Sequence, residues 1–220
     1  EATISDDART IMVPAGQRYR PCQYAVESDA SSASYFLAAP AVAGGRVRVN
    51  GIPEESLQGD TAFASLLAKM GCQVTRSPEG IEVRAERGML RGIEADMHDI
   101  SDTFPTLAVT ALFASGPTTI RNIANVRYKE CDRISAVASE LVKLGAGVEE
   151  FEDGLKITPP GDIMSIRPAA PIATWDDHRM AMAFSLAGLV IPGVEILDPD
   201  CTSKTWPEYF RDLAALTGGN

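Results

Sequence analysis

Apolar residues at Phe63, Leu66, Leu67 and Met70 recur at the spacing of one helical face and stop at Gly71, which predicts a helix over residues 60–70. Upstream, residues 46–50 alternate polar and apolar with period two and predict a strand. Residues 30–43, rich in Ala, Ser and Leu, predict a helix that ends at Gly44 and Gly45. Asp29 precedes it, and its carboxylate suits the free N–H groups of a first turn. Residues 73–76 and 81–84 flank a Ser-Pro-Glu-Gly turn and predict a hairpin. The same order of helix, strand, helix and hairpin returns downstream, with helices at 103–115 and 131–145, a strand at 118–123, and paired strands at 147–150 and 155–158. Pro105 in a first helical turn is tolerated because its missing N–H would have no partner there. A third pair of helices, behind Asp177 and ahead of Gly218, brackets a strand at 193–196 but has no closing hairpin. A further strand is expected at the start of each unit.

The pattern is a repeat. Asp29, Asp102 and Asp177 lead three Ala- and Leu-rich segments at intervals of 73 and 75 residues, and Asp60, Asp132 and Thr205 mark a second theme at intervals of 72 and 73. That period exceeds the roughly 20 to 50 residues of solenoid units, so each unit reads as a small α/β fold packed with two others around a shared core. The units span about 26–94, 95–165 and 166–220. Residues 1–25 do not form such a unit. Strands at 10–13 and from Tyr19 onward, bracketing a turn at Ala15 and Gly16, read as the last strands of a second domain plus a linker. Together with the unfinished third unit, they suggest part of a larger protein; a degenerate terminal repeat is the alternative.

With 45% hydrophobic residues among 220, the chain has ample material for a core. A net charge of −10 and the lack of a local Lys/Arg cluster argue against a nucleic-acid partner. Cys22, Cys72, Cys131 and Cys201 show no CxxC spacing and read as reduced thiols, and two separated histidines give little support to a metal site, so neither metal nor cofactor is expected. No apolar run is long enough to span a bilayer, and the polar opening lacks a signal-peptide pattern, so a cytoplasmic protein without membrane contact is expected.

Charge collects at the predicted helix starts. Lys129 and Arg133 lie four apart around Glu130 and Asp132, and Asp176, Asp177, His178 and Arg179 precede an almost wholly apolar helix. Taken alone, the first run also reads as a solvated, salt-bridged helix start, and Asp102 as a simple N-cap. If the units are related by approximate threefold symmetry, Asp102, Lys129, Arg133, His178, Arg179 and Lys204 meet at one end. Helix N-termini and cations there would hold a polyanion, with Asp102 and Glu130 able to exchange protons with it. Cys131 and Cys201 have no evident base beside them, so no nucleophile is implied.

The segments at 29–36, 125–133, 177–182 and 198–207 together resemble the 5-enolpyruvylshikimate-3-phosphate synthases, in order along essentially the whole chain but only as their C-terminal half. The resemblance implies an inside-out α/β barrel, or α/β prism, of three βαβαββ repeats, the third completed in the family by a segment not in this sequence. It implies transfer of the enolpyruvyl group of phosphoenolpyruvate to the 5-hydroxyl of shikimate 3-phosphate. Asp102 would bind the ring hydroxyls and take the 5-hydroxyl proton, Glu130 would protonate the phosphoenolpyruvate methylene and later remove a proton, and Asn125 and Lys129 would contact shikimate 3-phosphate. Arg133, Arg179 and Lys204 would hold phosphoenolpyruvate, supported by His178. Ser28 stands where a Gly often precedes the first Asp of the family, and Thr-Phe-Pro-Thr follows Asp102 in place of more Ala-rich sequence. The family's N-terminal Lys-Ser and Arg, its middle-domain Arg and its Ser-Ser-Gln group are absent from this sequence. The expectation is therefore a chain inactive or nearly so without a complementary N-terminal half. The alternatives are a UDP-N-acetylglucosamine enolpyruvyl transferase, which shares the fold and chemistry, and a non-catalytic domain.

Overall fold

The computed structural model describes residues 1–168 and 170–218. In chain order its elements are β1 (Thr3–Ile4), β2 (Ile11–Met12), α1 (Ala30–Ala43), β3 (Gly45–Asn50), α2 (Phe63–Lys69), β4 (Gln73–Ser77), β5 (Gly80–Ala85), β6 (Glu94–Asp96), α3 (Phe104–Ala111), β7 (Thr118–Arg121), α4 (Arg133–Lys143), β8 (Gly147–Phe151), β9 (Gly154–Thr158), α5 (His178–Gly188) and α6 (Tyr209–Leu216). Short 3₁₀ turns lead into α2 and α3 and occupy 124–128 and 199–204.

Three helices form the interior. α1, α3 and α5 pack on one another in all three pairings. Every residue of α3 is buried, and so are all of α1 except Phe36 and Ala43. Their Ala, Ser and Thr side chains permit that close approach, and the polar members are satisfied locally. Ser34 Oγ meets Thr106 Oγ1 at 3.0 Å between α1 and α3, and Thr110 Oγ1 donates to the Thr106 carbonyl at 2.7 Å. A buried Phe104 or Leu107 contributes about 1.5–3 kcal/mol through area removed from water, while a buried hydroxyl left unbonded would cost a comparable amount.

The two larger sheets have the same inner logic. β3–β5–β4 is antiparallel, and β7–β9–β8 repeats that order with β6 added parallel to β7. Gly80 and Gly154 open the second hairpin strand in each: a Cβ there would overlap the carbonyl oxygen of Val49 or of Ile120. The order of helix, strand, helix and hairpin expected of the first two units is present, and β6 is the expected leading strand of the second; the leading strand expected for the first is absent.

Elsewhere the structure departs from the pattern. The predicted strand from Tyr19 is absent, since β2 pairs with β1 around a tight turn at Ser5–Ala8 and residues 13–29 have no regular structure. Pro14 and Pro21, which cannot donate to a ladder, explain why. The strand at 193–196 shrinks to a single parallel bridge between Ile172 and Ile196. The helix expected at 103–115 is regular only to Ala111, and α4 starts at Arg133 rather than 131. Lys204 closes a 3₁₀ turn instead of opening a helix; α6 begins five residues later, without a side-chain cap.

Candidate active site

The three leading aspartates have different fates. Asp29 accepts from the N–H groups of Ser31 and Ser32, and Asp177 accepts from that of Arg179, so both cap their helices. Asp102 caps nothing. It sits in the 3₁₀ turn before α3, whose start is relieved by Pro105 and by a bond from the Phe104 N–H to the Ser101 carbonyl. Its carboxylate turns to cations instead: Arg133 Nη1 at 3.1 Å, Arg179 Nη2 at 3.0 Å and Lys129 Nζ at 3.5 Å.

Arg133 is the hub. Only 1% exposed, it donates through Nε to Asp177 Oδ2 at 2.7 Å, through Nη1 to Asp102, and through Nη2 to Glu130 Oε2 at 2.6 Å. Charge-assisted bonds of this length are the strong class of hydrogen bond, and a guanidinium fork suits three carboxylates at once. The wholly buried Asp177, predicted from sequence to lead a helix, is also the counter-ion of Arg133. Lys204 Nζ reaches Glu130 Oε1 at 2.8 Å from the 199–204 turn. Four cations thus face three carboxylates in direct contact, and a phosphate or carboxylate ligand would compete with side chains already paired.

Electrostatics assign protonation states. Burial acts to raise Glu130, but hydrogen bonds from Lys204 and its own backbone, and the charge of Arg133, bring it down to about 2. It is ionised at neutral pH. Burial and the adjacent Arg179 lower His178 from its ordinary value, so its ring is neutral, and its buried Nδ1 has no hydrogen-bond partner among the described residues. Burial, then Asp177, pushes the Cys131 thiol up to about 12, which removes it as a nucleophile. Tyr35 lies buried beside the Arg179 guanidinium without an aligned hydrogen bond, and burial lifts its hydroxyl to about 12.

Every residue anticipated for the site is in this neighbourhood. Asn125 hangs from Ser101 Oγ at 2.9 Å, next to Asp102. Lys129 and Lys204 are exposed; Arg133 reaches a ligand only if a carboxylate gives way. Asp132 caps α4 and is itself held by Arg127, which also binds Glu150 and the carbonyls of Phe151 and Glu152. Arg127 therefore fixes the 124–128 turn on the β8–β9 hairpin. One wall differs from a purely cationic rim: a depression of about 480 Å³ beside Lys204 is lined by Glu130, Asp176, Asp198 and Asp200. Asp60, raised by burial and then by Asp102, adds another carboxylate near the rim.

Two connecting features escape a reading of the sequence alone. Trp175 and Asp176 have φ of 57° and 55°, consecutive left-handed residues that cost of order 1–3 kcal/mol each. Glu140, buried in α4, bonds to the segment that contains them. Its signal is its position, a carboxylate sharing a helical face with Val137 and Leu144.

Comparison with known proteins places the chain in a family. A family model described as EPSP synthase (3-phosphoshikimate 1-carboxyvinyltransferase) matches residues 1–213. The 3-phosphoshikimate 1-carboxyvinyltransferase of Yersinia pseudotuberculosis serotype O:3 (strain YPIII) is 56% identical over 206 residues, covering 93% of this chain and 47% of the relative. That of Serratia proteamaculans (strain 568) is 53% identical over 213 residues, covering 96% and 48%. The chain spans about half the length of the curated relatives it matches. EPSP synthase from Acinetobacter baumannii superposes with a TM-score of 0.75 at 30% identity, over 87% of this chain and 46% of that one. The enolpyruvyl transferase NikO from Streptomyces tendae shares the fold, with a TM-score of 0.65 at 22% identity over 87% of this chain and 43% of that one. With the family match running through the ion-paired helix starts, the chain belongs to the EPSP synthase family.

Proposed function

We propose that this chain is the C-terminal half of an enzyme that moves the enolpyruvyl group of phosphoenolpyruvate to the 5-hydroxyl of shikimate 3-phosphate. In this reading residues 26–220 form the inside-out α/β prism, with repeats at about 26–94, 95–165 and 166–220, and residues 1–25 belong with a second domain. It acts in the cytoplasm without a cofactor. The observation that carries the reading is Asp102, released from capping and held among Lys129, Arg133 and Arg179 beside the ionised Glu130.

Asn125 and Lys129 hold shikimate 3-phosphate, and Asp102 accepts the proton of its 5-hydroxyl as that oxygen bonds to C2 of phosphoenolpyruvate. Arg179 and Lys204 hold the phosphate and carboxylate, with Arg133 behind them and the neutral His178 at their side. Fixed cations stabilise the charge on the departing phosphate without reorganising. Glu130 adds a proton to the methylene carbon, giving a tetrahedral intermediate, and takes one back as phosphate leaves and the vinyl group re-forms. An ionised Glu130 cannot donate, so ligand binding must first raise it. An anion that draws Lys204 away removes the hydrogen bond that keeps Glu130 low, which couples phosphoenolpyruvate binding to proton uptake.

The test is phosphate release from phosphoenolpyruvate and shikimate 3-phosphate by this chain mixed with a complementary N-terminal half. Turnover by the pair, and none or almost none by either alone, is expected. Robust turnover by the 220-residue chain alone sinks the half-site reading, and acceptance of UDP-N-acetylglucosamine in place of shikimate 3-phosphate sinks the substrate assignment.

A further inference from the structure

We propose that Glu140, outside the charged motifs, is a positioning residue that sets the Asp177–Arg133 pair by clamping the left-handed segment before it. Glu140 is 1% exposed and lies on α4, seven residues after Arg133. Its Oε2 accepts from Lys143 Nζ at 2.6 Å and from the Ala173 N–H at 3.0 Å, and its Oε1 accepts from Trp175 Nε1 at 3.3 Å. Lys143 completes the clamp by donating to the Pro171 carbonyl at 3.0 Å.

The clamped segment leads directly into Asp177 and so decides where that carboxylate stands. Trp175 and Asp176 are both left-handed, and the Asp177 N–H closes the turn on the Thr174 carbonyl at 2.9 Å. Non-glycine residues hold such a conformation only where their surroundings over-determine it. On one side Ile172 is bridged to Ile196; on the other Asp177 caps α5. Glu140 supplies the restraint between these points, at Ala173 and at the Trp175 ring. Asp177 then meets Arg133 on the same helix that carries Glu140, so one end of α4 sets the anion that fixes the other end's guanidinium. His178 and Arg179 leave from the same turn. A carboxylate on an apolar helix face is costly unless it is paired and hydrogen-bonded; Lys143 pairs it within α4, and the bonds to Ala173 and Trp175 tie it to the clamped segment.

The direct readout is the Nε–H signal of Arg133 in ¹⁵N-labelled 220-residue chain, assigned by its loss in Arg133→Lys. In the wild type it should exchange slowly with solvent, protected by Asp177. Glu140→Ala should shift that signal and speed its exchange about tenfold or more, and should weaken phosphoenolpyruvate binding by calorimetry about tenfold, the scale of a small misplacement at a site. Glu140→Gln, which keeps one acceptor, should fall between. Trp175→Phe removes only one donor on a half-exposed ring and carries the same test if Glu140→Ala does not fold. An unmoved Arg133 signal in a folded Glu140→Ala or Trp175→Phe chain overturns the proposal, whatever happens to the melting temperature. The binding arm alone rests on the reading of Arg179 and Lys204 as the anion clamp. A shifted Arg133 signal with unchanged phosphoenolpyruvate affinity would uphold Glu140 and refute that reading.

Discussion

Replacing Arg133 with Met should destabilise the chain far more than losing an ordinary ion pair, and the structure says where the loss falls. Arg133 serves three carboxylates, but they do not depend on it equally. Asp102 keeps Arg179 and Lys129, and Glu130 keeps Lys204. Asp177, wholly buried, keeps only the Arg179 N–H and a long contact from the Cys131 thiol; among the described residues the one other group within ion-pair reach is the neutral His178. Removing one partner of a buried pair costs about 3–5 kcal/mol, because the stranded charge has lost its solvation and its counter-ion. For a chain of this size that is a fall in melting temperature of roughly 6–20 °C. Adding Asp177→Asn should recover most of it. The amide oxygen can still cap α5 while the stranded charge is gone, leaving a deficit of about 1–2 kcal/mol. Urea unfolding of wild type, Arg133→Met and Arg133→Met/Asp177→Asn measures both numbers. A single variant that loses less than about 1 kcal/mol, or a double variant no more stable than the single, would refute the assignment of the cost to Asp177.

The same geometry sets two further outcomes. Asp29→Ala should cost about 1 kcal/mol in urea unfolding by removing the cap of α1, whereas Asp102→Asn should leave the start of α3 intact by amide exchange while altering phosphoenolpyruvate binding. Equal loss of protection at both helix starts would contradict the different fates of the two aspartates. Glu130 is held at about 2, below its ordinary 4.5, so its contribution to stability is complete above the ordinary value and is lost as pH falls through the lower one. Lys204→Met should move the Glu130 carboxyl titration, followed by NMR, upward toward 4.5 and flatten that acid limb; an unmoved titration would assign the depression to the Glu130 backbone hydrogen bond and Arg133 instead.

What the sequence made legible was whatever local chemistry decides. The stop of α1 at Gly44, the β4–β5 and β8–β9 hairpins and the place of Pro105 arise from backbone preferences that act within a few residues. The site was legible as a set of charges at recurring positions, and the structure brings those charges together. Partners were not legible, because they are chosen across the fold. Pro105 marks locally that α3 can start without a side-chain cap, but nothing near Asp102 in the chain names the cations its carboxylate meets, and nothing near Trp175 explains two left-handed residues; both depend on contacts made across the fold. The missing strand after Tyr19 shows the opposite limit. A short apolar run has β propensity wherever it occurs, but pairing needs a neighbour, and β2 found one in β1.

The unequal roles of Asp29, Asp102 and Asp177 point to a way in which repetition creates room for chemistry. In a fold made of one unit, an aspartate needed to start a helix could not be surrendered without unravelling that helix. Here three equivalent helices support one another, so a proline and a tight turn in one copy suffice to relieve its carboxylate of structural duty. The molecule keeps two copies as fasteners and turns the third toward Lys129, Arg133 and Arg179. Replacing Pro105 with a residue that has an N–H to offer would restore the lost fastening and draw Asp102 back toward the start of α3, away from its cations.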